Sequence, residues 1–169
     1  GSVAGAINCV AIGYKALEDI TSGDYHIAIG ASAMGSATAG EQNIAIGNGA
    51  MDAIDGGESY NIAIGTDAMT GVNTDTSAGN IAIGTNALVG GAAAVIGNIA
   101  IGHQALDATA GHAQTGTVAI GYQALTSLTS GADNIAIGQG AMGDNKEAID
   151  GWYTVGIGEP RFTRNIAVG

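Results

Sequence analysis

Apolar and polar positions along this chain alternate in short bursts, not in long amphipathic runs. The burst has one form, (Ile or Val)-Ala-Ile-Gly-x-x-Ala-(Leu or Met). It reads VAIGYKAL from Val10, IAIGASAM from Ile27, IAIGNGAM from Ile44 and IAIGTDAM from Ile62. Further copies begin at Ile81, Ile99, Val118 and Ile135, and degenerate ones stand at Val155 to Gly158 and Ile166 to Gly169. Successive repeat glycines, from Gly13 to Gly169, are 17, 17, 18, 19, 18, 19, 17, 20 and 11 residues apart. A period near 18 is that of a solenoid, in which each repeat buries its apolar face only by stacking on the next.

Ile-Ala-Ile has the period of two that a strand needs, and the glycine after it marks a corner. A helix here would be short, glycine-broken and poorly amphipathic. Each repeat is expected to be one coil: strand, turn, a second short strand at the Ala-(Leu or Met) pair, and loop. With the Ile/Val columns placed inside the coil, the alanines between them form an outward stripe: Ala11, Ala28, Ala45, Ala63, Ala82, Ala100, Ala119 and Ala136. Strands apolar on both faces are covered on both faces, and so long a strip exceeds what soluble monomers expose. Side-by-side association through those alanines is the expectation. Asn precedes most strands, at Asn43, Asn61, Asn80, Asn98, Asn134 and Asn165, with His26, Thr117 and Thr154 in the same slot elsewhere. Stacked amides hydrogen-bond from rung to rung, which would fix register.

Composition narrows the picture. The 169 residues include 30 Gly, five Tyr, one Trp and one Phe, so any core is thin and aliphatic. Four basic residues against 15 acidic ones give a net charge of −11, which argues against nucleic acid or an anionic membrane as partner. No apolar run approaches the ~20 residues of a membrane-spanning helix. The single Cys9 rules out an internal disulfide, and no Cys/His set has zinc spacing, so no cofactor is expected. The chain divides into a leading segment, 1–7, whose Gly1-Ser2 reads as a tag scar; an eight-copy array, 8–142; and atypical terminal coils, 143–169.

The repeat wording resembles two related groups. The head domains of trimeric autotransporter adhesins carry Asn-Ser-Val-Ala-Ile-Gly repeats, and bacteriophage tail-fibre proteins carry AIGYQAL-like units, matched here by Gly121-Tyr122-Gln123-Ala124-Leu125. The resemblance covers roughly Asn8 to Gly169. It implies an all-β, left-handed parallel β-roll with ~18-residue coils closed into a homotrimer. It also implies an extracellular, non-enzymatic fibre module on a virion tail, or alternatively on a bacterial surface, whose partner is a cell-surface receptor such as a glycan. The coil is longer than in the adhesin heads, so the extra residues are expected in an outward loop.

Function in repeat rods sits where repeats differ. Asp24, Glu41, Glu58 and Asp133 follow loop glycines and are expected along one edge of the rod, as a solvated acidic rim in preference to a calcium site. After Met142 the composition shifts, bringing Lys146, Trp152, Tyr153, Pro160, Arg161, Phe162 and Arg164 together. Such residues cap a stack, or form a tip where aromatics stack on sugars and Arg forks onto acidic groups. Tyr14, His103 and Tyr122 share the slot after the repeat glycine. The receptor-binding candidates are therefore Trp152, Tyr153, Arg161, Phe162, Arg164, Tyr14 and Tyr122. His26, His103 and His112 share no register, so no histidine cluster is expected. Hexapeptide acyltransferases also stack 18-residue coils, but only one hexad per coil fits here, as at Ile64 to Met69, and no catalytic constellation accompanies it. An ice-binding face would need a regular Thr ladder, and Thr74-Asp75-Thr76 occurs once.

Overall fold

The computed structural model describes residues 6–143, apart from 55, 92, 108–112 and 129–130, together with the backbone of 155–157. Among these residues there are only short strands and turns. In chain order the strands are β1 (Val10–Ile12), β2 (Ile27–Ile29), β3 (Ile44–Ile46), β4 (Ile62–Ile64), β5 (Ile81–Ile83) and β6 (Val95–Ile96). They continue as β7 (Ile99–Ile101), β8 (Gln114–Thr115), β9 (Val118–Ile120), β10 (Gly131–Ala132), β11 (Ile135–Ile137) and β12 (Val155–Ile157).

One wall is a parallel sheet in the order β1-β2-β3-β4-β5-β7-β9-β11-β12. Like stands on like at each rung: Ile44 on Ile62, Ala45 on Ala63, Ile46 on Ile64. Each connection leaves the sheet and re-enters it one rung further on, which makes the chain a parallel β-solenoid with coils near 18 residues. A second wall is the parallel ladder β6-β8-β10, continued toward the N-terminus by the single bridges Ala78↔Ile96, Ser59↔Ala78 and Glu41↔Ser59.

The expected second strand at Ala-(Leu or Met) is a turn instead. Two residues of each such turn adopt left-handed backbone, for example Asn86 with Leu88 and Gln104 with Leu106, at φ between +52° and +53°. This breaks the strand alternation, so Ala87 and Leu88, or Ala50 and Met51, all point inward and are fully buried. The turns are still bonded coil to coil: the Met51 N–H donates to the Ala68 carbonyl at 3.0 Å and the Leu88 N–H to the Ala105 carbonyl at 2.9 Å.

That inward turn reverses the expected orientation of the sheet. Ala28, Ala45, Ala63, Ala82, Ala100, Ala119 and Ala136 are 0 % exposed within the single chain, while the isoleucines on either side of them face outward. Leu and Met from the turns, with Ile20, Ile54, Val72 and Leu128 from the loops, already fill the coil. Only a methyl group fits beneath the strand. These alanines are enclosed by their own coil and are not an intermolecular surface. Ala11 differs because β1 lies at the edge of the sheet, where it is exposed.

The repeat glycine has two reasons to be glycine. Gly84 has φ +133°, and a Cβ added there would lie 2.5 Å from the Gly102 carbonyl oxygen of the next coil. The strand can turn its corner and stack only without a side chain.

Candidate functional site

Three features of the rod offer chemistry: the buried column at the Asn slot, the outward Ile/Val face, and the exposed columns that flank that face.

The Asn column forms the expected ladder. The Asn61, Asn80 and Asn98 backbone N–H groups donate to the side-chain Oδ1 of the preceding rung at 2.9, 3.0 and 2.9 Å. Each amide Nδ2 then donates to a loop carbonyl: Asn43 to Glu58, Asn61 to Ser77, Asn80 to Val95 and Asn98 to Gln114. From Asn43 to Asn98 the amides thus tie strand wall to loop wall, inside the coil, where they are out of reach of ligands; at the later rungs Thr117 Oγ1 and the Asn134 amide make no such bond among the described residues. His26 imitates this pattern. Its Nδ1 accepts the Asn43 N–H at 3.3 Å, so that nitrogen carries no proton. Burial pushes the imidazole below its ordinary value, against smaller opposing pulls from the Gly40 backbone and the Asp24 and Glu41 carboxylates. Cys9 stands in the same slot on the first rung, with Sγ 3.9 Å from the Gly23 carbonyl.

The outward face consists of two columns, one led by Val10, Ile27 and Ile44 and the other by Ile12, Ile29 and Ile46. From β1 to β11 it runs about 34 Å at ~4.8 Å per rung. No strand of this sheet contains a charged residue, although the chain carries 19. Val10, Ile12, Ile64 and Ile137 are more than a third exposed. The face is the longest uncharged stripe on the described strands.

Beyond the glycine corner lies the column of Tyr14, His103 and Tyr122, and all three are exposed. The structure brings only two of them together: the His103 and Tyr122 rings stack at 5.3 Å with 24° between planes. Beside them burial pushes the Asp107 carboxyl up, against smaller effects of His103 and Gln104. Tyr14 stands near the first rung, with the Lys15 ammonium 5.8 Å from its ring centroid and that ammonium bonded to Glu18 at 2.8 Å. Trp152, Tyr153, Arg161, Phe162 and Arg164 lie outside the described residues, as do His112, Thr154 and Asn165.

The four loop carboxylates do not share an edge. Asp24 and Glu41 occupy one column, Asp133 falls one residue later in its coil, and Glu58 is buried with Oε2 accepting the Gly56 N–H at 3.0 Å. Among the described residues no group of three metal-type ligands converges.

A column that the sequence reading passed over lies on the other flank of the Ile face, in the slot before Asn. It holds Tyr25, Gln42, Tyr60, Gly79, Gly97, Gly116 and Asp133, all at positive φ. Left-handed backbone costs a residue bearing a Cβ about 1 kcal/mol or more and costs glycine nothing. Tyr25 and Tyr60 accept that cost while remaining 54 % and 57 % exposed. An open groove of about 360 Å³ runs between Tyr25, Ile27, Gln42 and Ile44. The signal was present in the sequence: three coils write Gly before the Asn slot where the first coils write Tyr or Gln.

Fold and surfaces together define a parallel β-solenoid whose outer features are an uncharged aliphatic face and two flanking side-chain columns. The chain matches no protein-family profile, no curated protein and no solved structure.

Proposed function

We propose that this chain is a non-enzymatic structural and adhesive module of a fibre: a solenoid spacer that assembles into a homotrimer and presents loops or a tip to a glycan receptor on a bacterial surface. The setting favoured by its AIGYQAL wording is a bacteriophage tail fibre built as a left-handed roll. The observation that carries the proposal is the outward Ile/Val face. It runs the length of the regular array, it is free of charge in a chain of net charge −11, and mutual repulsion elsewhere on the surface leaves it as the place where copies can meet. Two columns per strand suit a three-fold arrangement, because each copy then offers one column to each neighbour around a common axis. The alanines take no part in the contact; they allow the coil to close behind it.

Static light scattering tests the assembly. The expected mass is about 49 kDa, three times the 16.4 kDa of one chain, and a stable 16.4 kDa species at micromolar concentration would overturn it.

A further inference from the structure

The backbone slot before Asn is the same in every coil, left-handed and best suited to glycine, yet its occupants differ sharply along the rod. Coils entering β5, β7 and β9 place Gly79, Gly97 and Gly116 there, with φ +66° to +69°. Coils entering β2, β3 and β4 place Tyr25, Gln42 and Tyr60 there, with φ +63°, +55° and +62°. Left-handed backbone recurs at bulky residues in the turns of this fold, where Met51 and Leu88 offset its cost by burial. Burial does not repay it here, since both tyrosine side chains are more than half exposed. The tyrosines are held for what they present outward.

They present it beside a groove. Tyr25 and Gln42 on one side and Ile27 and Ile44 on the other line the open trough of about 360 Å³. Tyr60 follows Tyr25 two rungs on, about 9.6 Å away along the rod at ~4.8 Å per rung, with the Gln42 amide between them. An extended chain of pyranose rings covers that distance in two residues. Ile27 and Ile44 belong to the face through which copies associate, so the phenol rings supply the contact to the apolar faces of such rings, while the phenol hydroxyls and the amide can bond their hydroxyl edges. Charge selects further. Asp24 and Glu41 stand in the adjoining column, and the described residues include one basic side chain, Lys15, which is paired with Glu18. A polyanion would meet repulsion.

We infer that the exposed Tyr25–Gln42–Tyr60 column forms a binding site for a neutral glycan chain lying along the rod. This rests on the receptor-binding reading given above, and it places the site on the N-terminal coils, at the flank of the face through which copies associate.

The test is a glycan array of neutral, N-acetylated and acidic oligosaccharides, probed with the intact protein and with the Tyr25→Gly/Tyr60→Gly double variant. Glycine is already the native residue of this slot in three coils, so the variant is expected to fold with an unchanged or raised melting temperature and an unchanged molar mass. The expected result is binding to neutral chains that falls at least tenfold in the variant. Retained binding in the variant, or binding to acidic glycans alone, overturns this site while leaving a receptor function standing. A loss of binding that comes with a fall in molar mass also overturns it, because the column is then a contact between copies. No binding to any arrayed glycan by the intact protein overturns both this site and the glycan-receptor reading.

Discussion

Between Tyr25 and Tyr60 the loop wall of the solenoid is irregular, touching its neighbours through single bridges such as Glu41↔Ser59. Between Val95 and Ala132 the same wall is a continuous parallel ladder, with glycine or Asp133 in place of tyrosine at the corner. The opposite wall does not change: Ile-Ala-Ile stacks on Ile-Ala-Ile in both regions with the same register. The sheet and the glycine corner therefore keep one register whether or not the loop wall pairs regularly. Freed from that duty, the loops of the first coils can carry exposed aromatics and a buried Glu58, whereas the later coils spend the same positions on regular pairing.

The largest blow to this arrangement should come from the shared wall. Gly84→Val adds a side chain at φ +133° against the Gly102 carbonyl, backbone against backbone, so neither coil can yield locally. The expected loss exceeds about 3 kcal/mol, seen as a large fall in melting temperature or failure to fold. Next is Asn80→Ala. It removes the donors to Asn61 and Val95 and orphans the buried Asn98 N–H, at an expected cost of about 2–4 kcal/mol in denaturant unfolding. If either change is silent, the shared wall is not what sets the register.

A smaller effect should be confined to the first coils. His26 has a lowered folded pKa because burial disfavours its charged form. Above the ordinary value of about 6.5 the imidazole is neutral both folded and unfolded, and the contribution is complete. As pH falls below that value the unfolded chain binds a proton that the fold refuses, and stability is lost down through the folded pKa. Protection of the first coils against hydrogen exchange, corrected for the intrinsic rate at each pH, should therefore fall as pH drops below about 6.5, with the protection of the later coils unmoved. His26→Asn, which restores the ladder residue, should flatten the response; an unchanged pH dependence in that variant would remove His26 as its cause. The smallest effect is Tyr60→Gly alone, expected to leave thermal stability equal or to raise it by a few tenths of a kcal/mol to about 1 kcal/mol.

How much of this was legible in the sequence depends on which residues are considered. The strands were, because Ile44 and Ile46 two apart and followed by Gly47 admit little else, and so was the amide ladder from Asn43 to Asn98. Which side of the strand faces inward was not, since alanine and isoleucine are both apolar and alternation has no sign. The decision is made in the turn, where Met51 and Leu88 adopt left-handed backbone that neither residue type announces. The same hidden sign turned an expected second strand into an inward-facing corner. Glu58 was missed for a related reason: a carboxylate after glycine reads as a solvated rim, and only the fold of its loop shows it buried. The Tyr25 column, by contrast, could have been found by aligning the slot before Asn and asking why glycine alternates with tyrosine.

The central claim is that isoleucine faces the neighbouring copy and alanine faces the coil's own interior. Paired cysteines on the two outward columns of one rung, Ile81→Cys with Ile83→Cys, and a single cysteine on the inward column, Ala82→Cys, both on a Cys9→Ser background, test it directly by oxidation followed by denaturing electrophoresis. The account predicts a disulfide-linked species from the 81/83 pair, because one column of a copy meets the other column of its neighbour, and none from the cysteine at 82. Cross-linking at 82 with none from the pair would contradict it.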